Sequence, residues 1–190
     1  MALFQKRERI YLEGFVRFML QNLLKSNSLN VKDIDKDGLL SSEEIKKTNV
    51  EILTFRIALL QMILSDIGKF GSNEFSSEEI AFKTGQALLM ALKDGVQSDE
   101  NARKRAEELL EHSVSYFENL SNINEAELNE KGIYFFLCRE FSNKILGENI
   151  DFNDENVRNK HFLLFDSAKQ VYKNDEASIR KLVKEFKFIN

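Results

Sequence analysis

Apolar residues recur along this chain at intervals of three and four positions, the spacing of one face of an α-helix. The pattern predicts helices over residues 4–25, 41–67, 77–93, 98–120, 124–146, 154–173 and 175–187. No stretch shows the sustained alternation of a half-buried strand. We therefore predict an all-α fold of six to seven helices packed as one compact domain over residues 1–190. A softer second half, over about residues 96–190, is the open alternative.

One predicted helix segment, residues 50–67, is apolar on nearly every face. Such a helix belongs in the middle of a domain, where all sides are covered by protein. A membrane span is not favoured, because four polar or charged side chains interrupt the stretch: Glu51, Arg56, Gln61 and Asp66.

Turn chemistry between the helices comes from Gly, Asn, Asp and Ser, since the chain contains no proline. Asn124 is a predicted N-cap, and residues 147–153 form a predicted polar turn. Asp175 is predicted to cap the last helix, which divides the end of the chain into two helices.

The polar stretch DIDKDGLLSSEE, residues 33–44, has the spacing of a twelve-residue calcium loop. Alternating aspartates can point carboxylates inward from a curling backbone, and Gly38 permits the sharp turn at position 6. Ca²⁺ is a hard cation that takes six to eight oxygen ligands. The predicted ligands are Asp33, Asp35, Asp37, Ser41 and Glu44 through side chains or a water, and Leu39 through its backbone carbonyl.

Local charge favours the same interpretation. Residues 33–44 hold five acids and one base, Lys36, which is a formal charge of −4. Acids this crowded repel one another unless a cation or water separates them. The alternative is a metal-free polar loop at a helix start, because Ser41 and Glu44 also form a capping box. Capping explains these two residues but not the three aspartates and the glycine.

The loop resembles that of the EF-hand family, and the EF-hand-like segment covers about residues 20–66, between the first two long helices. The segment KSNSLNVK, residues 25–32, is a poor helix interior, and similar loops without an incoming helix occur in dockerin-like repeats. Ser76 and Glu79 repeat the Ser41–Glu44 pattern 35 residues later. This repeat indicates either a degenerate second loop over residues 66–79 or two independent capping boxes.

Net charge and the motifs that the sequence lacks count against several classes of function. The formal charge of −4 and the pI near 5.4 do not favour a nucleic-acid-binding surface. The sequence lacks a secretory signal peptide and the common motifs of metal, phosphate or nucleophilic catalysis, so we expect a cytoplasmic protein that is not an enzyme. Cys138 and His161 are interpreted as structural, partly or fully buried side chains.

Two functions remain from the sequence. The first is a helical calcium-binding protein, with Ca²⁺ held in residues 33–44 in a structural or regulatory role. The second is a metal-independent helical protein–protein interaction module, with a protein partner or a homo-oligomer as its target. In that case residues 33–44 are only a capped loop.

Overall fold

The structure, a computed structural model, describes residues 8–25, 34–70, 73–93, 99–118, 120, 123–147 and 150–189. Its helices are α1 Leu12–Lys25, α2 Ser42–Ile67, α3 Ser77–Lys93, α4 Asp99–Glu118, α5 Glu125–Lys131, α6 Ile133–Leu146 and α7 Glu155–Glu185. Its strands are β1 Glu8–Tyr11, β2 Lys69–Phe70, β3 Asn73–Glu74 and β4 Phe186–Ile189. The all-α prediction is confirmed, with seven helices among the described residues.

Helix α2 runs through the middle of the fold, as its pattern predicts. Every side chain from Thr54 to Leu64 is buried, and α1, α3, α4, α6 and α7 all pack against it. Ser41 caps its start, and Gly68 ends it in a left-handed conformation with a φ of 58°. A helix buried on all sides in this way organises a single continuous hydrophobic cluster.

The other helices also pack against one another in pairs: α1 packs on α3, α3 on α4, and α6 on α7. Aromatic rings fill the space between elements distant in sequence. Phe55 of α2 lies 5.2 Å from Phe141 of α6 and 5.6 Å from Tyr116 of α4, measured between ring centroids. Within the described residues, no helix is long and apolar enough to cross a membrane.

The two ends of the described chain meet in a small sheet. The predicted first helix begins later than expected, at Leu12, because residues 8–11 form β1 and pair in parallel with β4. Glu8 lies opposite Phe186 and Tyr11 opposite Ile189. Phe188 of β4 is buried and lies 5.4 Å from the ring of Phe15. Residues 4–7 of the predicted helix lie outside the described residues.

Two predicted helix boundaries are wrong. Asp175 does not cap a helix: α7 continues through it from Glu155 to Glu185, and the Asp175 carboxylate instead accepts two hydrogen bonds from Arg56. The stretch 124–146 is divided at Gly132, whose φ of 77° separates α5 from α6. The predicted cap at Asn124 and the turn over residues 147–153 are confirmed where the chain is described.

Candidate metal centre

The backbone reverses direction at Gly38, within residues 33–44. Gly38 has a φ of 68°, and no heavy atom lies within 4 Å of the position that a Cβ would take. The Asp35 carboxylate closes the turn by accepting hydrogen bonds from the backbone N–H of Leu39 at 2.7 Å and of Leu40 at 2.9 Å. Glycine adopts this left-handed conformation without the steric penalty that other residues meet. The turn chemistry that the motif requires at position 6 is therefore present.

Two apolar side chains of the loop are buried, and Leu40 belongs to the hydrophobic core cluster. Ile34, at position 2, and Leu40, at position 8, are 8% and 6% exposed. The Asp35 carboxylate is half-buried, whereas Asp37 is exposed. Asp33, the predicted ligand at position 1, lies outside the described residues. The visible part of the loop is thus a polar turn held between two buried residues.

The end of the loop is a capping box at the start of α2. Glu44 N–H donates to Ser41 Oγ at 3.2 Å, and Ser41 N–H donates to Glu44 Oε2 at 2.6 Å. This reciprocal pair satisfies two backbone donors that the first turn of a helix leaves open. The capping interpretation of these two residues is therefore confirmed.

The Glu44 carboxylate has a further partner, Lys160 of α7. The Lys160 ammonium donates to both Glu44 oxygens, at 2.9 and 2.8 Å, and the two side chains are 14% and 19% exposed. Burial raises the pKa of Glu44, but the hydrogen bonds from Lys160 and Ser41 outweigh it and lower that pKa overall. The two Glu44 oxygens that the motif assigns to Ca²⁺ at position 12 thus accept hydrogen bonds from the Lys160 ammonium in this structure.

The donor set can now be compared with what Ca²⁺ needs. Asp35, Asp37, Leu39 and Ser41 lie in one described loop and carry oxygens of the right type. Glu44 lies at its edge and is directed to Lys160. Within the described residues, no group of three or more His, Cys, Asp or Glu side chains is placed to hold a metal ion. A full oxygen shell therefore requires the Glu44 carboxylate to exchange Lys160 for the metal ion.

The second stretch with this pattern, residues 66–79, has a different structure. Ser76 and Glu79 form a second capping box, with distances of 2.8 and 3.2 Å, at the start of α3. Strands β2 and β3 pair as a short hairpin before it, and Phe70 is fully buried. The sequence repeat is explained by two capping boxes. Residues 71 and 72 lie outside the described residues.

Lys160 belongs to a set of three ion pairs that join α2 to α7. Arg56 Nε lies 2.8 Å from Asp175 Oδ2, and Arg180 pairs with Asp66 near the helix ends. The partners follow the same order along both helices, so α2 and α7 run parallel. Sequence reasoning missed these contacts because the partners are separated by 114 to 119 positions. We find no local pattern that could have paired them.

No protein-family model matches this chain, and the comparisons with curated proteins and with solved structures found no significant match.

Proposed function

We propose that this chain binds Ca²⁺ through residues 33–44, as a cytoplasmic binding protein rather than an enzyme. The observation that carries the proposal is the glycine reversal at Gly38, closed by the Asp35 carboxylate within a segment of formal charge −4. A cation would relieve the repulsion among the acids there. The side chains of Asp33, Asp35, Asp37, Ser41 and Glu44 and the Leu39 carbonyl would supply the oxygens.

Lys160 acts as an internal competitor in this proposal. Its ammonium neutralises Glu44 when the metal is absent, and a divalent ion with several oxygen ligands replaces it when calcium rises. Because Glu44 belongs to the first turn of α2, metal binding would then couple the loop to the central helix. The same exchange would release Lys160 of α7 from its contact with Glu44 of α2. Calcium would thus change a contact between α2 and α7.

The first experiment is calorimetric titration with Ca²⁺, paired with thermal unfolding in calcium and in chelator. For a dissociation constant of about 10 μM, roughly 1 mM calcium adds about 2.7 kcal/mol to the free energy of unfolding. That increment raises the melting temperature of a domain this size by about 5–10 °C. No heat and an unchanged melting temperature at millimolar calcium would reject the proposal.

The variant series uses the two capping boxes as matched controls. Glu44→Gln keeps a capping-competent amide but removes the anionic ligand, so we expect calcium affinity to fall at least tenfold. Glu79→Gln makes the same change in the Ser76 box and is expected to leave calcium binding unaltered. Equal effects of the two substitutions would mean that helix capping, not ligation, explains the response.

Lys160→Met tests the competition directly. The substitution removes the cation from both Glu44 oxygens, so calcium affinity is expected to rise several-fold. Metal-free stability is expected to fall, because the largely buried Glu44 carboxylate loses its cation. Lys173→Met, at an exposed position of the same helix, is the control for the loss of one positive charge. Equal gains in calcium affinity from both variants would mean that the loss of one positive charge explains the gain, and would reject competition by Lys160.

The alternative function is a metal-independent helical interaction module. The observation that favours it is the ion pair of Glu44 with Lys160, which satisfies the carboxylate without a metal. Exposed apolar side chains on α3, Phe82 at 66% and Met90 at 42%, are compatible with a protein partner. This alternative predicts the same melting temperature in calcium and in chelator, whereas Phe82→Ser would alter association measured by light scattering.

A further inference from the structure

A small cavity lies between α6, α7 and the stretch that contains Ile150 and Phe152. Its volume is about 210 Å³, and its described walls are Arg139, Asn143, Ile150, Phe152 and His161. Three of these five side chains carry N–H donors, and the other two are apolar. No described residue of the calcium loop lines the cavity, so its chemistry is independent of the proposed metal site.

His161 is the most deeply set of the polar walls, with 7% of its surface exposed. Its Nδ1 lies 2.9 Å from the Oγ of Ser142, which is fully buried. Ser142 has no other hydrogen-bond partner in the described part of the chain, so donating to Nδ1 is what satisfies its hydroxyl. The imidazole proton then resides on the other ring nitrogen, Nε2.

The Nε2 atom of His161 opens to the cavity. This atom has no hydrogen-bond partner among the described residues. Every fully buried side-chain nitrogen or oxygen in those residues has a partner, so Nε2 is not fully buried. Burial, and secondarily the charge of Arg139, lowers the pKa of His161, so the ring is neutral at neutral pH. A neutral imidazole with its proton on Nε2 presents one N–H donor to the space.

Two further donors come from one face of α6. Arg139 and Asn143 are one helical turn apart, so their side chains are neighbours. The Arg139 guanidinium lies 5.0 Å from the centroid of the Phe136 ring and makes no ion pair within the described residues. The Asn143 carboxamide likewise has no hydrogen-bond partner there. One cation, which makes no direct ion pair within the described residues, and two neutral donors therefore line the cavity.

The remaining walls are apolar. Phe152 packs edge-on against the His161 ring, with centroids 5.0 Å apart, and is 49% exposed. Together with Ile150 it provides a hydrophobic wall beside the donors. A single positive charge matches a monoanion, and the planar guanidinium fork matches a carboxylate. The apolar wall matches an organic body better than it matches inorganic phosphate.

We propose that this cavity is a binding site for a small organic carboxylate, whose oxygens accept from Arg139, Asn143 and His161 and whose apolar part packs on Phe152. The volume is below the 300–1,000 Å³ of typical drug-sized pockets, which restricts the ligand to a short acid.

A larger cavity, of about 570 Å³ beside α4, does not carry the same inference. Its walls mix cations with Glu108 and Glu111, and Lys144 there already donates to Ser115 at 2.7 Å. Charges of both signs neutralise each other locally, so they do not select a ligand.

The test uses the full chain with benzoate as the probe, followed by NMR of the His161 imidazole and by calorimetry. We expect millimolar or tighter binding that shifts the His161 signals. The uncharged isostere benzamide should bind at least tenfold more weakly, because it cannot pair with the guanidinium. Equal binding of both probes, or benzoate binding that leaves the His161 signals unmoved, would overturn the proposal. Tighter binding of inorganic phosphate than of benzoate would reject the carboxylate assignment.

Variants identify the site. Arg139→Gln is expected to weaken benzoate binding at least tenfold, whereas Arg103→Gln, at an exposed position on α4, should leave it unchanged. Both positions are exposed, so circular dichroism should show the same fold for each variant. Phe152→Ala should weaken benzoate binding but not acetate binding, since acetate has little apolar surface to lose. An unchanged benzoate affinity in Arg139→Gln would place any binding elsewhere.

Discussion

The buried ion pair between Arg56 and Asp175 yields a direct test of how α7 is held on α2. Arg56 Nε donates to Asp175 Oδ2 at 2.8 Å, and Arg56 Nη2 donates to Oδ1 at 2.9 Å. The two side chains are only 10% and 12% exposed. In such a bidentate pair, the attraction between the two charges offsets the free-energy cost of removing each of them from water.

Asp175→Asn removes the charge and keeps the shape. The guanidinium then stays buried with only a neutral partner, and breaking a buried pair from one side costs about 3–5 kcal/mol. Because both side chains keep a little exposure to water, we expect a cost near the lower end of this range, about 3 kcal/mol. A change of this size is a large fraction of the total stability of a domain, which is about 5–15 kcal/mol.

The assay is urea unfolding followed by circular dichroism at equilibrium. Asp166→Asn, at an exposed position of the same helix, is the control and should change the free energy of unfolding by less than about 0.5 kcal/mol. The double variant Arg56→Met with Asp175→Leu should cost less than Asp175→Asn alone, because it leaves no buried charge. The reasoning is refuted if Asp175→Asn costs less than about 1 kcal/mol with an unchanged urea slope.

Four further predictions concern three residues. Tyr116 O–H donates to Glu51 Oε2 at 2.8 Å, so Tyr116→Phe should lower the free energy of unfolding by about 1–2 kcal/mol, and a loss below a few tenths would contradict that bond. Burial, reinforced by Glu51, raises the pKa of Tyr116, so its phenol should resist ionisation in a spectrophotometric titration that ionises exposed tyrosines. Gly38→Ala should cost about 1–2 kcal/mol from its φ of 68° alone, since the space is open, and Gly38→Asn should cost less; urea unfolding distinguishes the two. The pKa of Glu44 is lowered in the folded chain, so its contribution to stability is fully present above the unfolded value near 4.5 and is lost as the pH falls through the folded value. Lys160→Met should flatten this acid-side loss, and an unchanged pH profile would show that the pair does not stabilise the fold.

Much of the fold was predictable from local sequence. Helix α2 was predicted as the central helix because its apolar residues cover every face, and eleven consecutive buried positions from Thr54 to Leu64 agree. The caps at Ser41, Asn124 and Ser76 follow from side chains that bond to backbone groups two or three residues away. All of these features depend on near neighbours in the chain.

The calcium ligands stay a prediction of the sequence alone. The motif names six residues by their spacing, and four of them, Asp35, Asp37, Leu39 and Ser41, lie in the described loop on either side of Gly38. It directs Glu44 to Lys160, while Asp33 lies outside the described residues. Spacing determines which oxygens a curled loop can offer, but not which cation elsewhere in the fold competes for them.

The sequence by itself determined most of the helices, the caps at Ser41, Ser76 and Asn124, and the glycine reversal, since each depends on interactions between residues a few positions apart. Only the tertiary structure decided that Asp175 pairs with Arg56 instead of capping a helix, and that β1 pairs with β4. It also decided that Ser142 orients His161 towards a cavity. These contacts join residues whose distance is set by the packing of whole helices, and local propensity carries no information about that packing.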